Sequence, residues 1–118
     1  VSVTPSQFEL LRSSIEALSV RHRVISQNIA NINTPGYRAK EVLFEDELAR
    51  RLATPTSQQT LNQPVIQEAA TREARFDGNT VDIDLEMTAL EKNSMMYQAY
   101  TELLSSKISM MKSAITGR

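Results

Sequence analysis

Apolar residues near the N-terminus recur at alternating intervals of three and four: Phe8, Leu11, Ile15 and Leu18, then His22, Ile25, Ile29 and Ile32. On an α-helix this spacing collects one stripe, and the alternation is that of a heptad seam. It predicts a helix from Pro5 to about Ile32, on the order of 42 Å long at 1.5 Å per residue. So long a helix calls for a partner helix. Its start is marked several times over. Thr4 is placed to be the N-cap, Pro5 suits the first helical position, Gln7 completes a capping box, and Val3 with Phe8 forms a hydrophobic staple. His22 interrupts the stripe; as the only histidine it has no imidazole partner, and it reads as a structural polar residue bonded across the seam or pointing outward.

The last third repeats the design with Ile83, Met87, Leu90, Ser94, Tyr97, Thr101, Leu104, Ile108, Met111 and Ile115. This predicts a second helix from about Val81 to Ile115, roughly 50 Å long. Beside it runs a second apolar line of Ala89, Met96, Tyr100, Leu103, Met110 and Ala114. Two flanking stripes make a face wide enough for a partner helix and a neighbouring subunit. All five methionines lie here, which suits either a face with several slightly different contacts or plain core filling. Gly117 reads as the helix stop, with Lys112 and Arg118 near the negative end of the dipole.

The predicted fold is therefore dominated by α-helix: long terminal helices paired as an antiparallel coiled-coil hairpin, with a small irregular middle segment. The chain divides into residues 1–33, 34–80 and 81–118 of one structural unit. In the middle a short amphipathic helix is predicted over Leu43–Leu52 on Phe44, Leu48 and Leu52. The stretch "ATPTSQQTLNQP" reads as a mobile loop. Val65 and Ile66 form a short strand or a packed turn. Asp77-Gly78-Asn79 makes a turn, and Asp82 or Asp84 caps the final helix.

Composition narrows the function. A net charge of −1 offers nothing that selects nucleic acid, and the absence of cysteine removes disulfide, thiolate and Cys-zinc chemistry. No apolar run approaches the roughly 20 residues of a bilayer span, and the N-terminus shows no basic-then-apolar secretory pattern. Opening on Val1 fits a processed start. The acids Asp77, Asp82, Asp84 and Glu86 miss the EF-hand pattern, because Gly78 is second and Glu86 tenth counting from Asp77. Capping and dipole pairing explain them better. No phosphate loop or nucleophile–base pair is visible. No catalysis, cofactor, metal or small-molecule ligand is expected.

The segment "NIANINTPGY", Asn28 to Tyr37, ends the first helix abruptly. Pro35 pushes Thr34 out of helical geometry, and Pro35-Gly36 suits the centre of a type II turn. Asn28, Asn31 and Thr34 share roughly one helical face, where their side chains can bond backbone groups freed at the helix end. Tyr37 is expected to pack back on the helix. This is a rigid elbow.

The same residues, Asn28, Asn31, Thr34, Gly36 and Tyr37, match the pattern N-x-x-N-x-x-T-x-G-Y, and the segment resembles the signature of the axial (rod and hook) proteins of the bacterial flagellum. "DGNTVDIDLEM", with Asp77, Gly78, Asn79, Val81, Asp82 and Met87, and the following "YQAYTELLSSKISMMKSAI" are similar to the proximal-rod members of that family. Arg38 stands where lysine is frequent and Asn33 where aspartate is common; residues 54–75 carry no resemblance. The resemblance implies a structural subunit, exported without a cleaved signal by the flagellar type III export gate. Such subunits stack helically into the torque-transmitting rod of the basal body. The implied partners are copies of itself, other proximal rod subunits and the adaptor joining rod to membrane ring. The stripe residues Phe8, Leu11, Ile15, Leu18, Ile25, Ile29, Ile32, Leu90, Tyr97, Leu104, Ile108, Met111 and Ile115 would line the helix pair or the subunit interfaces. Phe44 and Leu48 resemble the export-gate signal of early flagellar substrates; the spacing also fits simple i, i+4 packing. The alternative function is a small coiled-coil adaptor or chaperone that binds one partner through the Met-rich face.

Overall fold

The structure, a computed structural model, describes residues 5–53 and 63–117. The Thr4 cap, the Val3 half of the staple, Arg118 and the expected loop over 54–62 lie outside the described residues. Five elements follow in order: α1 (Pro5–Ala30), β1 (Lys40–Leu43), α2 (Glu45–Ala53), β2 (Val65–Glu68) and α3 (Ile83–Thr116).

α1 stops two residues before Ile32. Its exit tightens into three-residue steps, with Ile32 N bonded to Ile29 O at 3.2 Å and Thr34 N to Asn31 O at 3.0 Å. Such tightening is usual where a helix runs out of partners, here because Pro35 bars continuation. The chain then reverses: Tyr37 N donates to Thr34 O at 3.2 Å, and Gly36 takes φ 73° as a type II turn needs.

β1 and β2 pair antiparallel, with Lys40 opposite Glu68 and Leu43 opposite Val65. Val65 and Ile66 are thus strand. β1 itself was not expected, and it moves the start of α2 from Leu43 to Glu45. Glu45, Asp46 and Glu47 fill the first turn of α2, favourable at the positive end of its dipole. At the start of α3, Asp82 is the cap, its carboxylate accepting from Asp84 N at 3.0 Å and Leu85 N at 3.3 Å. α3 ends at Gly117, φ 72°, whose N–H donates to Ser113 O.

α1 and α3 pack antiparallel. Asn28 bonds Glu86 near the elbow, while further along Leu18 O accepts from Asn93, so numbering falls on one helix as it rises on the other. The molecule is rod-like, 63 × 27 × 15 Å. The core is small: Ala17, Leu18 and Val24 of α1 meet Val42 and Phe44, with Val20, Leu48, Met96 and Tyr100 packed around them. Arg21 ties these elements together. Its guanidinium lies over the Phe44 ring at 4.6 Å and donates to Val42 O at 2.6 Å and to the Glu45 carboxylate at 2.8 Å. Burial pushes the Glu45 carboxyl up, but the hydrogen bond from Arg21, backbone N–H donors and the Arg21 charge outweigh it and hold it below its ordinary 4.5.

The face of α3 that meets α1 lies beside the stripe read from the sequence. Glu86 and Asn93 are buried there and Met96 and Tyr100 half-buried, with Leu90 and Leu104 half-buried as well. Met87, Tyr97, Ile108, Met111 and Ile115 are exposed. The seam's apolar members Met96 and Tyr100 belong to the second line read from the sequence, whereas Glu86 and Asn93 are polar and a periodicity built on apolar residues passes over them. On α1, Leu18 and Ile25 are buried, Phe8, Leu11, Ile15 and Ile29 are half-buried, and His22 is exposed; Ile32, just past its end, is half-buried.

Leu18→Ala is expected to cost about 2–5 kcal/mol in urea unfolding, as a fully buried leucine, and Ile108→Ala within about 0.5 kcal/mol of nothing. Because the Glu45 carboxyl titrates lower folded than unfolded, its share of stability is present above pH 4.5 and lost as pH falls through its folded value. Glu45→Gln should flatten that acid limb of the stability–pH curve.

Candidate functional site

The two sequence motifs meet in space, and their meeting point is built on two asparagines with no exposed surface. At the end of α1 the backbone carbonyls have no helical donors left. Asn79 supplies them from the other motif. Its Nδ2 donates to Asn31 O at 2.9 Å, Ile32 O at 3.1 Å and Thr34 O at 2.8 Å. Its Oδ1 accepts from Val81 N at 2.7 Å, and Asp77 Oδ1 accepts from Asn79 N at 3.0 Å in an Asx-type turn. Arg75 adds a second donor to Ile32 O and bonds Val81 O at 3.0 Å. One short loop thus caps α1 and aims α3.

Asn28 acts differently, one helical turn earlier. Its carboxamide reads the Lys40 peptide as a strand neighbour would: Nδ2 donates to Lys40 O at 2.8 Å and Oδ1 accepts from Lys40 N at 3.0 Å. Nδ2 also reaches Glu86 Oε2 at 3.1 Å, and the Tyr37 hydroxyl donates to Oδ1 at 3.4 Å. The sequence assigned Asn28 to the helix end; the structure turns it to β1 and α3 instead. Asn31 bonds back to Gln27 O, and Thr34 Oγ1 donates to Asn31 Oδ1, both on the exposed side.

The turns of the two motifs lie back to back. Gly36 N donates to Asp77 O at 2.9 Å and Thr80 N to Tyr37 O at 3.0 Å, while Ala39 N donates to the Thr80 hydroxyl at 2.8 Å. Gly78, at φ 84°, faces Gly36 so closely that a Cβ there would stand 3.4 Å from the Gly36 Cα. Pro35 is exposed at the turn, and Val81 is buried.

Of three further residues important to this joint, Arg72 and Asn93 went unread in the sequence and Glu86 was read only as an acid of the helix start. Glu86 is 2% exposed, and its second carboxylate oxygen faces the Arg72 guanidinium at 3.2 Å. Asn93 is buried against Leu18 O at 2.9 Å. Glu86 and Asn93 sit seven apart, a polar heptad position that could have been noticed; nothing local singles out Arg72. Phe44 is buried in the core and Leu48 half-buried beside it, so a gate that reads these two side chains must meet the chain before it folds. The side chain of Leu52 lies outside the described residues.

Chemically the joint is closed upon itself. Most of its amides and carboxylates bond backbone groups or each other, while Asn93 Oδ1 and Arg72 Nη1 are buried without a hydrogen-bond partner and Glu86 Oε1 meets Arg72 only as an ion pair. Among the described residues no group of three or more His, Asp or Glu is placed to hold a metal ion. It is a device for setting the angle and register of two long helices.

Residues 11–38, which take in most of α1 and the elbow turn, match the family described as flagella basal body rod protein. The flagellar basal body rod protein FlgB of Bacillus subtilis is 32% identical, with 99% of this chain and 98% of that protein aligned. FlgB of Escherichia coli is 34% identical over 89% of this chain and 91% of its own length, and FlgB of Salmonella typhimurium 30% over 91% and 93%. The chain belongs to the FlgB family of flagellar basal body rod proteins.

Asn79→Ala is expected to destabilise the protein by about 2–4 kcal/mol, because three carbonyls each lose one of their two donors and the buried Val81 N–H loses its acceptor. Asn79→Asp keeps the shape and the bond from Val81 N but sets a second oxygen against three carbonyls, and should be at least as damaging. Urea unfolding of the pair decides whether donation or mere volume matters there.

Proposed function

We propose that this chain is a structural, non-catalytic subunit of the proximal rod that assembles through its terminal helices into the torque-transmitting shaft. The observation that carries the proposal is the apolar face of α3. In a chain of the rod family, Tyr97, Leu103, Ile108, Met110, Met111 and Ile115 stand exposed along a helix. Exposed apolar residues aligned this way are what subunit seams are made of. Copies of itself, other proximal rod subunits and the adaptor joining rod to membrane ring are the neighbours that would cover it.

Torque transmission asks for a stiff joint between the helix pair and the middle segment, and the Asn28–Asn79 clamp provides one. Residues 1–33, 34–80 and 81–118 then act as shaft helix, elbow with middle segment, and second shaft helix of one unit. Export through the type III gate without a cleaved signal belongs to the same reading, with Phe44 and Leu48 available to the gate on the unfolded chain. The discrete-adaptor alternative gains no support from rod-protein relatives that align end to end.

Deleting the gene in its host should abolish swimming and leave membrane rings without a rod in images of isolated basal bodies, and the intact gene should restore both. An Ile108→Glu copy should express and fold yet fail to restore them. Normal rods and swimming after deletion, with no second copy of the gene, would sink the assignment.

A further inference from the structure

One end of this molecule is shaped and charged to fit another part of it that it does not touch. Among the described residues the far end of α3 has no counterpart on α1: counting one for one outward from the Asn93–Leu18 bond, Pro5 falls opposite Ser106, so Lys107 to Thr116 run past the described part of α1. That end is apolar and exposed at Ile108, Met111 and Ile115. It is also uniformly basic. After Glu102 the sequence contains no acid, only Lys107, Lys112 and Arg118.

Between α1 and α2 lies an open groove of about 510 Å³ to which α3 contributes no residue. Its apolar lining includes Ala17, Val20, Phe44 and Leu48, and small Ser13 and Ser14 line the α1 side, where a helix could approach closely. Of its charged lining, Glu16 is paired with Arg12 and Glu47 with Arg50, which leaves Asp46 as the acid in excess among the described residues. Apolar lining meets apolar stripe, and Asp46 offers an acid to the basic flank.

Resting on the rod reading above, we infer that the C-terminal end of α3 from one copy docks in the α1–α2 groove of the next copy. Because the two surfaces differ, the contact is head-to-tail. Repetition of a head-to-tail contact builds an open filament unless the rotation happens to close it, whereas a symmetric pairing of identical faces stops at a dimer. Lys112 sets the register against Asp46, with Lys107 on the other flank of the apolar stripe. Ile108, Met111 and Ile115 supply the buried area.

The chain has no cysteine, so introduced thiols report one contact at a time. Full-length Ser13→Cys and Met111→Cys chains, carrying tags of different mass, are mixed at high concentration and oxidised. The expected product is the mixed dimer, with Lys112→Glu lowering its yield about tenfold and Asp46→Lys in the partner restoring it. Circular dichroism melts of each variant should match the parent, which excludes misfolding as the cause. Dimers linked only from 111 to 111 overturn the docking, since they report identical faces meeting. So does a yield indifferent to both charge reversals. A strain that loses its rods on deletion while its chains give either of those results keeps the rod reading and discards this one. Dispensability of the gene for rod formation discards the rod reading itself.

Discussion

A single carboxamide holds the architecture together. α1 ends at Ala30 and Pro35 bars its continuation, so the carbonyls of the exit turns lack the regular helical donors and are bonded from elsewhere. Asn79 answers three of them at once from a loop more than forty residues away in sequence. Its oxygen accepts from Val81 N and so fixes Val81, next to the cap of α3. The end of one long helix and the start of the other are thereby set by one side chain. Remove it and the angle between them is no longer specified.

From that joint the constraint passes along the helix pair. The Asn28–Glu86–Arg72 cluster and the Asn93–Leu18 bond lie on the seam itself, and a shift of longitudinal register would break both. An all-apolar seam would pack more freely and specify less. The cost is a small core around Leu18 and Phe44, stitched by Arg21. What that core leaves uncovered, the exposed side of α3, is the surface an assembling subunit needs. Stability within the subunit and adhesion between subunits therefore draw on different faces of the same helix.

Much of this was legible in the sequence wherever its cause is local. Heptad spacing announced two long helices, the Thr34-Pro35-Gly36 break announced the reversal, and Asp82 and Gly117 announced the limits of α3. The rest depends on partners far along the chain. β1 is four residues long and exists only because Val65–Glu68 pairs with it. Glu86 and Asn93 look like surface residues until Asn28, Arg72 and Leu18 O are brought to them, so the inner face of α3 was misplaced by the width of one stripe. The two family motifs were seen separately, and Asn79 was read as a turn residue. That it caps the other motif's helix follows from geometry that no local pattern encodes.

If one carboxamide couples the elbow to the helix pair, the two must open together. Native-state hydrogen exchange on the free subunit tests this most directly. The amides of Gly36, Lys40, Thr80 and Val81 should share one opening free energy with the buried seam around Leu18 and Asn93, and Asn79→Ala should lower both sets together. Fast exchange at the elbow beside a still-protected seam would show that the joint is a loose hinge, and the account of a rigid clamp would be wrong.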